Sequence, residues 1–213
     1  MKLDRDSLGT VYGTLLNFRS ELQAWAPKMN DAPYKAPPKA PVLYIKPANT
    51  WSQNGASIAI PPRAAHVEVG ATVAMVMRAP GEVGGYRLMN DLSLPHTSFL
   101  RPPVKFKCLD GFLGIGDTLL PAGLGVDPST LMLEVRINGT LVQTVRFNGV
   151  VRDAKQLLAD VSSFMTLGAG DALMLGCDIL PQGGRPLAKV GDVIEISAPG
   201  FGRLTNTLVA QAQ

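Results

Sequence analysis

Glycine and proline interrupt this sequence from one end to the other, and this limits the length of any regular element. The chain has 22 glycines and 17 prolines among its 213 residues. Glycine adds backbone freedom, and proline lacks the N–H that helices and sheets use, so both residues mark turns. The pattern therefore predicts many short elements joined by turns.

One segment predicts a β-hairpin. Apolar and polar side chains alternate from Leu131 to Ile137, which is the period of a strand with one wetter face. Asn138-Gly139 follows at once, and then the mixed run TLVQTVRF. Asn-Gly favours a type I′ turn, because both central residues of that turn need positive φ. We predict two antiparallel strands joined at Asn138-Gly139.

Other runs predict further strands and one turn. The segment Val67–Met77 is apolar at nearly every position after Glu68, as in a central strand buried on both faces. The run GFLGIG at Gly111–Gly116 has its glycines in the opposite order to a dinucleotide fingerprint, so we predict a turn there. The other predicted strands are Val11–Leu16, Val42–Ile45, Ser57–Ile60, Ala172–Gly176, Val193–Ser197 and Leu204–Val209.

Helices are few in this sequence. The run RDAKQLLADVSSFM has apolar side chains at helical spacing, with Asp153 as the predicted N-cap and Gly168 as the stop. A shorter helix is predicted around Ser20–Ala26, ending at Pro27. Residues 27–41 carry five prolines and predict an extended surface arm, either a connection or a lid. The fold class is α+β, mostly β: a sheet-rich core with one or two helices.

Composition favours one folded domain over residues 1–213. The chain is 46% hydrophobic and 17% charged, which argues against disorder. The net charge is +3, and its dispersed lysines and arginines form no basic stripe, so no nucleic-acid partner is predicted. The longest nearly apolar stretch falls short of the ~20 residues that span a bilayer, so no membrane is predicted. Cys108 and Cys177 are expected to be free thiols, which favours the cytoplasm.

A few charged residues at strand ends could bind a ligand. Lys46, Arg101 and Lys107 could together hold a multiply carboxylated molecule, because arginine binds carboxylates bidentately and lysine supplies a point charge. Each of them alone is more often a solvated or structural charge. Asp91 and Asp110 lie in nearby turn-like segments, MNDLS and LDG. Spacing alone does not decide between the two interpretations.

The same segments resemble a known family. The segments are PYKAPPKAPVLYIKPANTW, GYRLMNDLSL, RPPVKFKCLDG, NGTLVQ, SSFMTLGAGDALMLG and VGDVIEISAPGFGRLTN. They follow in order the motifs of the fumarylacetoacetate hydrolase family, over nearly the whole chain. PYKAPPK, YIKPANT and SLP resemble one branch, the N-terminal half or separate first subunit of the isomerase/decarboxylase of 4-hydroxyphenylacetate degradation.

The resemblance implies a fold, a metal and partners. It implies a mixed β-sheet roll that forms a homodimer, or a heterodimer with a metal-bearing second subunit, and that acts on a small di- or tricarboxylate substrate. Active members of the family bind Mg²⁺ or Mn²⁺ through a Glu-x-Glu pair and an Asn-Asp aspartate, a ligand set that suits a hard divalent ion. Some members add a His-Glu pair near the N-terminus for proton transfer.

The family's metal ligands are incomplete in this sequence. Asp91 keeps the aspartate position, but the Glu-x-Glu pair falls on Gly70 and Thr72. A shift of two residues would put Glu68 and Gly70 there instead, which still leaves the pair broken. Mg²⁺ keeps its waters unless several anionic oxygens compete for it. The bound metal is therefore expected to be absent or weak in this chain.

The family's other site residues carry over in part. Lys46 keeps the lysine after the early strand, and Lys107 with Asp110 keeps a Lys-x-x-Asp-Gly step, so these three are the predicted catalytic residues. Asn17 is kept near the N-terminus and joins Lys46, Arg101 and Lys107 as the predicted substrate-binding set. The family's His and Glu positions become Glu21 and Ala24.

Three functional hypotheses follow. The first is a subunit that acts on 5-oxopent-3-ene-1,2,5-tricarboxylate and 2-hydroxyhepta-2,4-diene-1,7-dioate and depends on a second subunit for metal. The second is an inactive structural partner domain. The third is a stand-alone hydrolase or decarboxylase of a related diketo acid.

Overall fold

The computed structural model describes residues 8–96 and 103–212, which form fourteen strands and three α-helices. The helices are α1 (Arg19–Met29), α2 (Val104–Lys107) and α3 (Ala154–Ser162). The strands are β1 (Val11–Leu15), β2 (Val42–Lys46), β3 (Trp51–Gln53), β4 (Ser57–Ile60), β5 (Val67–Glu68), β6 (Ala71–Ala79), β7 (Glu82–Asp91), β8 (Leu113–Pro121), β9 (Met132–Ile137), β10 (Thr140–Arg146), β11 (Ala172–Met174), β12 (Leu187–Ala188), β13 (Val193–Ala198) and β14 (Gly202–Ala210).

The strands form two main sheets and one small one. The seven-stranded sheet has the order β2-β1-β11-β6-β7-β8-β3, and the five-stranded sheet has the order β10-β9-β13-β14-β4. Strands β5 and β12 pair separately. Most neighbours are antiparallel, while β1 with β11, β3 with β8, and β4 with β14 run parallel. This mixed arrangement confirms the predicted fold class.

Strand β6 lies inside the large sheet and is buried on both faces. Val73, Met75 and Met77 face a core shared with the five-stranded sheet and α3. Ala74 and Val76, on the opposite face, pack in a second core with residues of β1, β2 and α1. Side chains alternate between the faces of a strand, so a strand covered on both faces must be apolar at successive positions.

The hairpin prediction is confirmed. Strands β9 and β10 pair antiparallel, with Ile137 opposite Thr140. Asn138 has φ 52° and Gly139 has φ 78°, the two positive values that a type I′ turn requires. The alternation of apolar and polar side chains therefore identified the strand, and Asn-Gly identified the turn.

Two predictions in the sheet were wrong in detail. The predicted strand Val67–Met77 is broken at Val69-Gly70 into β5 and β6, because β5 leaves the large sheet to pair with β12. The predicted turn at Gly111–Gly116 is wrong from residue 113 onward, because that part begins β8. A Cβ at Gly114 would lie 2.1 Å from Oδ1 of Asn206. This glycine therefore marks a close approach between the sheets.

The helix ends also differ from the prediction. Asp153 caps α3 as predicted, since its side chain accepts a hydrogen bond from the N–H of Gln156. However, α3 ends at Ser162 rather than at Gly168, whose N–H instead bonds the Asp171 carboxylate in a later turn. Helix α1 continues two residues past Pro27, because a proline in the last turn removes only one intrahelical hydrogen bond.

The number of helices is larger than predicted. One or two helices were expected, and the four-residue α2 is the third among the described residues. Residues 30–41 contain neither helix nor strand, and most of them are exposed. Across the described ranges, no helix is long and apolar enough to cross a membrane.

Candidate active site

A buried carboxylate lies at the centre of the candidate site. Asp91 is the last residue of β7 and has no exposed surface. Its Oδ1 lies 2.8 Å from Nζ of Lys46, and its Oδ2 accepts a hydrogen bond from Nζ of Lys107 at 2.7 Å. The hydroxyl of Tyr44 also donates to Oδ2, at 2.5 Å. Two ammonium groups and one phenol therefore hold the aspartate that the family resemblance predicts as a metal ligand.

Strand β2 supplies two of these partners, because every second side chain of a strand points to the same face. Tyr44 and Lys46 are two residues apart, so both side chains point to the same face of the strand. Gly13 of β1 pairs with Tyr44, and a Cβ at Gly13 would lie 2.0 Å from Cζ of the tyrosine ring. The absent side chain lets the ring lie across β1 and reach Asp91.

Lys46 has a second set of contacts. Its ammonium lies within hydrogen-bonding distance of three backbone carbonyls, those of Leu92 at 3.0 Å, Lys107 at 2.5 Å and Phe112 at 2.8 Å. These carbonyls belong to the segments that follow β7 and precede β8. One lysine therefore joins the end of β2 to both segments through their backbone carbonyls.

The electrostatics of this group follow from its burial. Burial alone would raise the pKa of Asp91, but Lys107, Lys46 and Arg185 outweigh burial and hold the pKa well below its usual range. Burial lowers the pKa of Lys46 to about 8, with the attraction of Asp91 acting against it and the like charge of Lys107 reinforcing it. Burial and Asp91 raise the pKa of Tyr44 well above its ordinary value. The carboxylate is thus the anion and the phenol stays protonated.

A second buried ion pair lies near the first. Glu21, in the first turn of α1, accepts a hydrogen bond from Arg185 at 3.1 Å and one from the N–H of Leu16 at 2.7 Å. Burial raises the pKa of Glu21, and the guanidinium limits that rise. For Arg185, burial acts to lower the pKa, but Cys177, Glu21 and Asp91 outweigh burial and raise it.

These side chains together form what we call the buried charge cluster: Glu21, Lys46, Asp91, Lys107 and Arg185. The two pairs influence one another, since Arg185 lowers the pKa of Asp91 and Lys107 lowers that of Glu21. With two carboxylates and three cations, the cluster has one positive charge in excess.

A buried thiol lies beside the cluster. Cys177 Sγ is 4.0 Å from Asp91 Oδ2, and burial raises the pKa of Cys177 to about 12, which keeps the thiol neutral.

The residues around Asp91 do not fit a divalent metal ion. A Cβ at Gly70 would lie 2.4 Å from the Asp91 carbonyl oxygen and 3.0 Å from Cys177 Sγ, so the backbone leaves no room for a glutamate there. Thr72 donates its hydroxyl to the Gly176 carbonyl at 2.6 Å. Among the residues described, no group of three His, Cys, Asp or Glu side chains could hold a metal ion. Lysines surround the Asp91 carboxylate where a metal would need further anionic oxygens.

The structure brings together some of the predicted site residues and not others. Asp91, Lys46 and Lys107 meet in one cluster. Asp110 is exposed and accepts a hydrogen bond from Asn49. Asn17 is buried and uses its amide on three backbone groups: it donates to the Arg152 and Leu175 carbonyls and accepts from the Arg152 N–H.

Arg101 lies outside the described residues, so its predicted contact with substrate stays a prediction. The catalytic and substrate-binding roles of the other residues stay predictions as well. Cytoplasmic location, metal content and oligomeric state also stay predictions.

Sequence reasoning missed three members of the site. Tyr44 is two residues before Lys46, so the strand period could have identified it. Glu21 was noticed only as a departure from the family pattern. Arg185 stands 164 residues from Glu21 in the sequence, and no local pattern marks it.

Comparisons with known proteins agree with this architecture. The bifunctional isomerase/decarboxylase of 4-hydroxyphenylacetate degradation from Escherichia coli is 40% identical, over 96% of this chain and 48% of its own length. The corresponding protein of Salmonella dublin is 39% identical, over 95% of this chain and 48% of its own length. The chain therefore spans about half the length of these curated relatives.

Solved structures share the fold. The 5-carboxymethyl-2-hydroxymuconate delta-isomerase of Mycobacterium smegmatis matches with a TM-score of 0.75 and 24% identity, over 97% of this chain and 81% of that one. The 2-hydroxyhepta-2,4-diene-1,7-dioate isomerase of Mycobacterium marinum matches with a TM-score of 0.75 and 23% identity, over 97% and 77%. The family model described as fumarylacetoacetate (FAA) hydrolase C-terminal matches residues 10–209. The chain belongs to the fumarylacetoacetate hydrolase family.

Proposed function

We propose that this chain is the metal-poor component of an isomerase/decarboxylase of 4-hydroxyphenylacetate degradation. Its substrates would be 5-oxopent-3-ene-1,2,5-tricarboxylate and 2-hydroxyhepta-2,4-diene-1,7-dioate. A second subunit of the same family, with the complete acidic ligand set, would supply the metal chemistry. The 40% identity to the Escherichia coli enzyme, over about half of that enzyme's length, supports this assignment.

One observation carries the proposal: lysine ammonium groups take both oxygens of Asp91. A metal ion could reach this carboxylate only by displacing two ammonium groups that lie 2.7–2.8 Å from its oxygens. The excess positive charge of the buried charge cluster instead suits anions, and both proposed substrates carry several carboxylates.

The test is a mixing assay with a metal-bearing family member that has the Glu-x-Glu pair. We expect little turnover from this chain alone and a higher rate from the mixture than from the second subunit alone. Replacing Lys107 by Met should lower kcat/KM of the mixture about ten- to a hundredfold, the value of one charged hydrogen bond. Lys105→Met is the matched control, because Lys105 is exposed on the same helix.

Two results would contradict the proposal. Efficient turnover by this chain alone would favour a stand-alone hydrolase or decarboxylase. A mixture no faster than the second subunit alone would remove any part for this chain in the reaction.

A second candidate function is a structural partner domain without chemistry of its own. The three carbonyl contacts of Lys46 favour it, because they give a buried lysine a purely structural task. A mixture that is faster than the second subunit alone, yet insensitive to Lys107→Met, would support this candidate.

A further inference from the structure

Arg185 uses less of its hydrogen-bonding capacity than either lysine of the buried charge cluster. A guanidinium has five N–H donors in a planar fork. Among the described residues, the side chain of Arg185 makes one hydrogen bond, to Glu21 Oε1 at 3.1 Å. The ammonium of Lys46, by contrast, contacts three carbonyls and Asp91. Several donors of Arg185 are therefore available to a ligand.

Arg185 is also the cation that solvent can reach. Its side chain is 7% exposed, whereas those of Lys46 and Lys107 are 0% exposed. The two residues before it, Gly183 and Gly184, have positive φ and are exposed, and nothing lies within 4 Å of a Cβ built on either. The guanidinium thus lies at the rim of the cluster, and an exposed turn directly precedes Arg185 in the chain.

The charge balance indicates what such a ligand would be. Glu21 and Asp91 offset two of the three cations, which leaves one positive charge in a region where few waters can solvate it. A single carboxylate would neutralise this excess, and a guanidinium fork matches a carboxylate in geometry.

We propose that Arg185 anchors one carboxylate group of a small dicarboxylate at the rim of the buried charge cluster, with no metal ion involved. The class of ligand rests on the proposed function, since both proposed substrates are polycarboxylates. Arg185 is then a residue that determines specificity, and a guanidinium binds the anion where active members of the family use a divalent ion.

Glu21 competes with the ligand for Arg185, and this makes the proposal testable in two directions. Glu21→Gln removes the competing charge and raises the excess charge of the cluster from one to two. It should therefore tighten dicarboxylate binding. The double variant Glu21→Gln/Arg185→Gln removes both partners of the pair and keeps the excess charge of the cluster at one. It should therefore weaken binding only through loss of the guanidinium.

The experiment is isothermal titration calorimetry of succinate and malonate into the intact chain in EDTA. We expect wild type to bind, Glu21→Gln to bind several-fold more tightly, and the double variant to lose about ten- to a hundredfold in affinity, as for one charged hydrogen bond. Arg203→Gln is the control for loss of an arginine, because Arg203 is exposed and pairs with Glu195. It should bind as wild type does.

Several outcomes would overturn the proposal. These are no binding by wild type in EDTA, weaker binding by Glu21→Gln, unchanged binding by the double variant, or equal affinity for sulfate. Should the double variant fail to fold, Glu21→Gln alone still decides the matter by the direction of its effect. The measurement uses neither metal, second subunit nor turnover, so its failure and failure of the proposed function are independent results.

Discussion

At the scale of single residues, the neighbours of Asp91 decide what it does. A buried carboxylate surrounded by other carboxylates binds a divalent ion, whereas one held between two ammonium groups is a structural anion. A buried ion pair adds little net stability compared with apolar residues of the same size. Removing one partner is costly, however, because it leaves an uncompensated buried charge.

We therefore predict that Asp91→Asn lowers the free energy of unfolding by about 3–5 kcal/mol at neutral pH. The reason is that Lys46 and Lys107 both lose their counter-ion in a site without exposed surface. Urea unfolding followed by circular dichroism measures the change. Glu195→Gln is the control, because it breaks a pair whose arginine is 65% exposed and should cost at most about 1 kcal/mol. Equal losses in the two variants would contradict the prediction.

The pKa of Asp91 determines how the difference in unfolding free energy between wild type and Asp91→Asn depends on pH. Its pKa is lowered in the folded state, so the folded protein binds fewer protons there than the unfolded chain does. The stabilisation is complete above the unfolded pKa of about 4 and is lost as the pH falls below it. The gap in unfolding free energy between wild type and Asp91→Asn should therefore shrink below about pH 4. A gap that stays constant down to pH 2.5 would contradict this assignment of charge.

The site could be predicted from the sequence only where residues are near one another along the chain or match a family motif. Lys46, Asp91 and Lys107 were found in this way. Glu21 and Arg185 meet because β12 and α1 converge in three dimensions, and periodicity within a segment carries no information about such a contact.

At the scale of elements, the alternating strands were predictable and the glycine-rich ones were not. The hairpin of β9 and β10 follows from side-chain alternation and Asn-Gly. The predicted turn at Gly111–Gly116 covers the start of β8, because glycine is common in turns. Here Gly114 instead allows the Asn206 side chain to come close and to accept a hydrogen bond from Asn90 at 3.2 Å. Sequence alone cannot distinguish these two uses of glycine.

We predict that Gly114→Ala destabilises the protein by about 1–3 kcal/mol or more, as expected for overpacking of a buried contact. The new methyl group would collide with the Asn206 amide, which has no exposed surface in which to move. Gly123→Ala is the matched control, because nothing lies within 4 Å of a Cβ at that position. Thermal unfolding of both variants tests this, and a Gly114→Ala protein as stable as Gly123→Ala would show that the contact is not needed.

At the scale of the whole molecule, the site joins segments from most of the chain. Asp91 ends β7, Tyr44 and Lys46 lie in β2, Glu21 in α1, and Arg185 just before β12. A metal ion would link these segments only when bound, whereas side-chain charges link them permanently. We therefore expect the buried charge cluster to make the fold independent of metal supply, as the proposed function requires.

This independence predicts a thermal response that differs from that of a metal-bearing relative. A family member with the full acidic set, given Mg²⁺ at 100 times its Kd, should gain about 2.7 kcal/mol, or about 5–10 °C in Tm for a domain of this size. This chain should shift by less than about 1 °C between EDTA and saturating Mg²⁺ or Mn²⁺, because binding to the native state alone raises Tm. Differential scanning calorimetry of both proteins in the same buffers makes the comparison. A rise of several degrees that Asp91→Asn abolishes would show that the ion displaces the lysines from Asp91, and the charge-cluster account of this site would then be wrong.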